Sequence, residues 1–224
     1  MSWKAVADSA IGTSHQKQEI LCQDYVDYRI FDDVIVGAVA DGTGSAKHSD
    51  VGSKLAVETV LKCFSEINEF PQNKAFSQPL SKEEAEEVFV KIVNQVIKEL
   101  QKQAEEGDYS VNDLACTLLV FVATPDWVAA MQIGDGFIVL RSQESEYKLL
   151  FQPDKGEFVN ETTFITSTNA VKDMQVKVIS EKQEFICAST DGLEKVAIRL
   201  SDWKPFLPFF KPLEEYLHEP VNPD

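Results

Sequence analysis

Several things are scarce in this 224-residue chain. Histidine occurs three times and cysteine four times. No two cysteines stand close enough for a CxxC zinc or redox motif. Cys116 and Cys187 sit inside apolar runs, where a free thiol behaves as a small hydrophobe. This usage reads as reduced thiols in a cytoplasmic protein, not as a disulfide scaffold. The amino terminus, Met-Ser-Trp-Lys-Ala, lacks the basic start and apolar core of a secretory leader. No window approaches the roughly 18 apolar residues of a membrane span. Basic runs are missing too. Lys plus Arg is 21 against 37 Asp plus Glu, a net charge of −16. Such a surface repels phosphate backbones, which excludes a general nucleic-acid binder. There is no internal repeat, no low-complexity segment and no Pro/Gly linker near the middle, so residues 1–224 are expected to form one domain.

What is present is the balance of a folded soluble domain, 44% hydrophobic and 26% charged. Residues 34–40 are apolar and β-branched and end at Asp41-Gly42, a buried strand running into a turn. A small-residue loop follows, and Ser49 or Asp50 caps a helix with Val51, Leu55, Ala56 and Leu61 on its apolar side. Ser81-Lys82-Glu83-Glu84 fits a capping box. The helix behind it carries Ala85, Val88, Phe89, Ile92, Val96 and Leu100 at helical spacing and ends at Gly107-Asp108. Residues 115–123 and 127–133 read as strands, Gly134-Asp135-Gly136 as a hairpin turn, and 137–140 as the returning strand. Residues 147–151 continue the meander, and 153–173 read as a long flap. Residues 176–179 and 184–189 pattern as a second hairpin ending at Asp191-Gly192. Residues 205–217 pattern as a helix with Phe206, Phe209, Phe210, Leu213 and Leu217 in register. Hairpin-linked strands and helices grouped in sequence imply an α+β fold, a four-layer α-β-β-α sandwich of two antiparallel sheets flanked by helices.

Asp41, Asp135 and Asp191 each close a hydrophobic strand beside a glycine. Taken singly, Asp-Gly is an ordinary turn pair. A sandwich, however, gathers strand ends at one rim. Carboxylates gathered there repel one another unless a cation lies between them. Oxygen ligands without His or Cys suit Mg²⁺ or Mn²⁺, and two such ions sharing a carboxylate activate water for hydrolysis of a phosphate.

Four stretches resemble the type 2C metal-dependent serine/threonine phosphatases, most closely the bacterial branch. They are residues 10–15 with Cys22-Gln23-Asp24, residues 39–44 with the helix behind them, Ala115-Cys116-Thr117 with residues 132–136, and residues 187–193. The resemblance implies hydrolysis of phosphoserine and phosphothreonine by a bridging hydroxide at a binuclear Mn²⁺ or Mg²⁺ centre. It implies that Asp41 bridges the ions, that the Gly42 carbonyl binds one and that Asp191 ligates the other. It places Asp24 behind metal-bound waters, Asp135 at a weaker third metal and Thr117 near the waters. It implies a cytoplasmic, monomeric enzyme whose partners are phosphoproteins and the serine/threonine kinases it opposes, with no nucleic acid and no membrane. Cys22 and Cys187 are bystanders.

The chain departs from the family pattern at four places. The phosphate-gripping Arg of the first motif is missing, leaving His15 and Lys17 as substitutes. Lys195 stands where many members have Asp, and Thr43 stands where many have His; His48 nearby reads as an exposed helix-start residue. No Asp in strand context follows Asp191: Asp202 and Asp224 lie in helix and proline-rich loop. The chain is therefore expected to lack the family's last strand. An alternative stays open, a weak or inactive pseudophosphatase that binds phosphoproteins or another partner.

Overall fold

The computed structural model describes residues 3–12, 21–68, 78–143, 145–151 and 162–219. Its centre is β2 (Val34–Asp41), whose first seven residues are all buried. A continuous apolar run marks a strand covered on both faces, and so it is here. Val34, Val36, Ala38 and Ala40 face a helical layer. Val39 faces a second sheet.

The larger sheet is five-stranded and antiparallel throughout, in the order β1 (Asp24–Phe31), β2, β3 (Leu118–Ala123), β4 (Val128–Ile133) and β7 (Gln175–Ile179). Helices α1 (Ser49–Asn68) and α2 (Lys82–Gly107) cover one face, and Trp127 is fully buried in the core between them and the strands. On the other face lies a three-stranded sheet, β6 (Lys148–Leu149), β5 (Phe137–Ser142) and β8 (Gln183–Ser189). Leu119, Ala130, Ile138 and Leu140 fill the space between the sheets. A hairpin of β9 (Ile198–Arg199) and β10 (Lys204–Pro205) and the helix α5 (Leu207–His218) form the last layer, sealed by Phe137, Phe185, Ile198 and Phe210. The expected α+β, four-layer α-β-β-α order is present. Two one-turn helices complete it, α3 (Ala170–Asp173) and α4 (Glu194–Ala197).

The capping box of α2 forms as expected. The Ser81 hydroxyl accepts from the Glu84 amide, and the Glu84 carboxylate accepts from the Ser81 amide. The helix ends where Asp108 turns left-handed at φ 54°. On α1 the buried stripe is rotated from the expected one. Val57, Val60 and Phe64 join Ala56 and Leu61 in the core, while Val51 and Leu55 are only partly buried.

Neither expected hairpin exists. β4 and β5 belong to different sheets, so Gly134-Asp135-Gly136 crosses from one sheet to the other. β7 and β8 are split the same way, and residues 180–182 make a second crossing. The sequence signal is the same in both cases, because a tight Gly-Asp turn reverses the chain whether or not the two arms bond to each other. In α5 the expected register is half right. Phe210 is fully buried, but Leu213 and Phe206 are exposed, and Glu214 is buried in place of an apolar side chain. The segment before it is not plain loop, since Lys204 and Pro205 pair with Arg199 and Ile198. Of the expected flap, residues 153–161 lie outside the described residues. Ile165 is fully buried and its amide donates to the Cys116 carbonyl at 2.8 Å. Among the described residues no helix is long and apolar enough to cross a membrane.

Candidate functional site

The two sheets deliver their acidic strand ends to one rim. In the β1–β2 ladder Asp24 stands directly opposite Asp41. In the β5–β8 ladder Phe137 stands opposite Ser189, which brings the Gly134–Gly136 crossing beside Thr190 and Asp191. Asp24 and Asp41 therefore come from the larger sheet, and Asp135 and Asp191 from the edge of the smaller one. Asp41 is half-buried, whereas Asp135 and Asp191 are exposed.

Thr117 fixes Asp41 from both sides of its backbone. The Asp41 amide donates to Thr117 Oγ1 at 3.0 Å, and the Thr117 amide donates to the Asp41 carbonyl at 2.8 Å. Thr117 is 2% exposed, so its hydroxyl reaches Asp41 within the protein and not through solvent. Thr117→Val removes the acceptor and leaves a buried N–H unpaired, a loss of about 1–3 kcal/mol. Thr117→Ser keeps the acceptor and is expected to retain most of that stability; thermal melting of the two variants checks the difference.

Gly42 is held in a tight seat. Its amide donates to the Gln23 carbonyl at 3.0 Å, and a Cβ there would lie 2.6 Å from the Ser49 carbonyl oxygen. Gln23 also ties the start of α1 to the strand, its amide donating to Ser49 Oγ at 2.7 Å while its carbonyl accepts from Ser53 Oγ at 2.6 Å. Ser49, expected as a candidate cap of this helix, and Ser53, which the sequence reading missed, are both fully buried. Gly134 has φ 106°, and a Cβ on it would meet Thr117 Cγ2 at 2.5 Å. Glycine is thus required where the crossing passes Thr117. Asp135 accepts from Thr162 Oγ1 at 2.8 Å, which attaches the described part of the expected flap to the rim.

The electrostatics of the rim follow from this packing. Burial, the charges of Asp24, Asp191 and Asp135 and a hydrogen bond with Asp191 all push the Asp41 carboxyl upward, to about 8. Glu194, at the start of α4, is also raised, by burial first and then by Asp191 and Asp135, with Lys195 opposing. Glu194 was missed from sequence, since it stands between the Asp-Gly motif and Lys195 and is brought to the rim by the turn of α4. The Cys116 thiol rises to about 12 through burial and the Asp41 charge, and burial alone raises Cys187 to about 11. Neither is suited to act as a thiolate.

A cleft of about 140 Å³ opens between Gly12, Cys22, Gln23, Asp24, Asp41 and Gly44. A larger concavity of about 580 Å³, lined by Gln101, Glu105, Asp108 and Tyr109, contains none of the rim carboxylates. His48 is not an exposed helix-start residue: its ring stacks on Tyr109 at 4.4 Å between centroids. Asp202 is held by Arg199 at 2.6 Å, away from the cluster. His15 and Lys17 lie outside the described residues. Among the described residues no three His, Cys, Asp or Glu side chains close into a metal-binding group. The donors nevertheless fit a hard divalent cation. They are all oxygens, Asp41 and Asp191 share a hydrogen bond, and the carboxylate charges that add to burial in raising Asp41 are charges a cation would neutralise.

This architecture is that of bacterial serine phosphatases. A serine/threonine phosphatase of S. agalactiae superposes with a TM-score of 0.58 at 15% identity, covering 90% of this chain and 82% of that one. A second bacterial serine phosphatase gives a TM-score of 0.57 at 13% identity, over 87% of this chain and 84% of that one. At those identities the likeness shows the fold. The family follows from sequence. Residues 11–222 match protein phosphatase 2C. The serine/threonine-protein phosphatase 3 of Escherichia coli K12 is 31% identical over 217 residues, 95% of this chain and 82% of that protein. The chain belongs to the protein phosphatase 2C family, and its class is that of the serine/threonine-protein phosphatases.

Proposed function

We propose that the rim formed by Asp24, Asp41, Asp135 and Asp191 is the active site of a metal-dependent phosphatase acting on phosphoserine and phosphothreonine in proteins. The observation that carries this reading is Asp41, a half-buried carboxyl facing a cleft and pressed upward by burial first and then by three other aspartates. Such charge crowding disfavours the fold and is retained where a site needs it.

In this reading Asp41, Asp191 and the Gly42 carbonyl would hold two Mn²⁺ or Mg²⁺ ions, with Asp135 at a weaker third position. When bound, these ions neutralise the phosphate and acidify the attacking water. The chain's own residues do the rest. Thr117 keeps the Asp41 backbone in register, Gly42 lets the turn pass beneath α1, and Asp24, opposite Asp41, accepts hydrogen bonds from water at the rim. Glu194 adds negative charge beside Asp191. Phosphoproteins of a serine/threonine kinase pathway, a cytoplasmic location and a monomeric state complete the proposal.

Hydrolysis of p-nitrophenyl phosphate across a Mn²⁺ titration, with EDTA and Asp191→Ala as controls, tests it. Metal-dependent turnover lost in Asp191→Ala is expected. Turnover that persists in EDTA would reject the metal reading, and tight phosphopeptide binding without turnover would favour the pseudophosphatase.

A further inference from the structure

Among the described residues two buried side-chain oxygens meet no hydrogen-bond donor, Gln23 Oε1 and Gln132 Oε1. Gln23 lines the cleft already described. Gln132 stands behind the rim on β4 and is only 6% exposed. Register places it. Across the larger sheet Val26, Val39, Leu119 and Gln132 stand opposite one another in turn, and Gln175 follows. Val39 and Leu119 face the space between the sheets, so Gln132 does too. One row nearer the rim stand Asp24, Asp41 and Thr117. Gln132 is thus a buried amide in the row directly beneath the carboxylates.

A methionine or leucine there would continue the apolar row and strand no oxygen. The glutamine makes one bond that neither could: its Nε2 donates to the Gly134 carbonyl at 2.9 Å. Exchanging the two ends of the amide would set two carbonyl oxygens against each other, so this bond fixes the orientation and leaves Oε1 unpaired. An unpaired buried oxygen disfavours the fold, and such a group calls for a reason other than stability. The reason lies in what Gly134 carries. At φ 106° it opens the crossing that holds Asp135. A Cβ on Gly134 would meet Thr117 Cγ2 at 2.5 Å, and one on Gly136 would meet Leu119 Cδ1 at 2.6 Å. The crossing therefore lies flat on Thr117, which anchors the Asp41 backbone, and on Leu119, which stands opposite Gln132. Three contacts in series join Gln132 to Gly134, Gly134 to Thr117 and Thr117 to Asp41.

We infer that Gln132 is a positioning residue of the carboxylate rim: by holding the Gly134 carbonyl against Thr117 it fixes Asp135, on the crossing, relative to Asp41, on β2. Its bearing on hydrolysis rests on the phosphatase reading of the rim. Apolar contact is non-directional, and Gly134 and Gly136 offer no side chain to grip. Thr162 restrains the Asp135 carboxylate but not the backbone that carries it. A hydrogen bond from the layer beneath supplies the missing direction.

The test compares Gln132→Met, Gln132→Asn and Gln132→His in the full chain. Methionine keeps the volume and removes the donor. Asparagine keeps the amide but falls one methylene short, and histidine offers an N–H at a reach similar to that of glutamine. In EDTA, NMR relaxation is expected to give the Asp135 amide an order parameter of about 0.85 in the parent protein and in Gln132→His, and below about 0.6 in the other two. The melting temperature of Gln132→Met is expected to stay within about 3 °C of the parent, because losing the bond is offset by removing the unpaired oxygen. Calorimetry is expected to show Mn²⁺ binding about tenfold weaker in Gln132→Met and Gln132→Asn, with turnover of p-nitrophenyl phosphate about tenfold slower at an unchanged KM. An Asp135 amide as rigid in Gln132→Met and Gln132→Asn as in the parent would overturn the inference. So would a fall of about 10 °C or more in Gln132→Met, which marks a residue that the whole fold needs. The two readings fail separately: if the parent shows no metal-dependent turnover while Asp135 still loosens in the two variants, catalysis is rejected and the positioning role stands.

Discussion

Asp41→Asn is expected to abolish metal-dependent hydrolysis and, in the same protein without metal, to raise the melting temperature. The loss of rate should be roughly 100-fold or more, the scale on which removing one preorganised electrostatic group acts on a transition state. The gain in stability has a separate origin. Burial and three neighbouring aspartates lift the Asp41 carboxyl from 3.8 to about 8. The folded protein therefore binds this proton more tightly than the unfolded chain does. The penalty for ionising it is absent below pH 3.8, grows through neutrality and is complete above about 8. Asparagine never ionises, so its advantage should be nil in acid and largest in mild alkali, about 2–6 °C for a domain of this size. Mn²⁺ should raise the melting temperature of the unmodified protein by neutralising the same charge, and should do so far less in Asp41→Asn. Because the cation displaces a proton, its apparent affinity should rise with pH until about 8 and then level off. Calorimetric melting with and without Mn²⁺ at several pH values reads all of this. A variant that is inactive yet no more stable at alkaline pH would show that the rim is not electrostatically crowded.

The second large effect lies in the last layer, away from the rim. Arg141 on β5 donates through Nε to both Glu214 carboxylate oxygens, at 3.0 and 2.9 Å, and through a terminal nitrogen to Glu184 at 3.1 Å. Tyr147 donates its hydroxyl to Glu214 as well. The Arg141 and Glu214 side chains are 19% and 10% exposed. Burial alone would lift the Glu214 carboxyl, but the bonds from Arg141 and Tyr147 and the guanidinium charge outweigh it and hold it below its ordinary 4.5. Glu214→Ala leaves the guanidinium with Glu184 as its one carboxylate partner and the Tyr147 phenol without its acceptor, and is expected to cost about 1.5–3 kcal/mol, a fall of roughly 3–12 °C. Replacing both members, Arg141→Met with Glu214→Leu, should be milder, because the charge left without its partner, Glu184, is the more exposed one. The pH dependence is opposite to that of Asp41. A carboxyl held low stabilises the fold above pH 4.5 and loses that contribution as the pH falls. Acid should therefore loosen α5 while it relaxes the rim. A Glu214→Ala melting temperature close to that of the parent protein would show that α5 is held by Phe210 and its neighbours alone.

What the sequence made legible followed from how completely each element is covered. β2 and β3 are apolar along their length because both faces are buried, and α2 announces itself through Ser81, Glu84 and a stripe from Ala85 to Leu100. β1 was left unread because it is an edge strand whose charged residues, Asp24, Asp27 and Arg29, interrupt its apolar ones. The partners of each strand were illegible at the two crossings, since a turn does not say which sheet its second arm joins. Glu214 was illegible for a different reason. Periodicity nominates Leu213, and only the tertiary placement of Arg141 and Tyr147 makes an acid the better inward residue. At the rim, motif order brought Asp24, Asp41, Asp135 and Asp191 into one expectation, and the structure sets them within electrostatic reach of one another. Glu194, the hydrogen bonds of Gln23 and the buried Ser53 came only from the folded chain.

The crossing at Gly134–Gly136 has a mechanical consequence. Asp24 and Asp41 ride on one plate of the sandwich, Asp191 on the other, and the plates are sewn together at the rim by three residues and at the far end by residues 180–182. The chain also passes between the plates on its way from β6 to β7, and there the Lys177 ammonium on β7 donates to the Leu150 carbonyl at 2.6 Å. Under the proposed reading, a cation held by Asp41 and Asp191 would fasten the two plates together at the rim. Loading such a site would then also be an act of assembly.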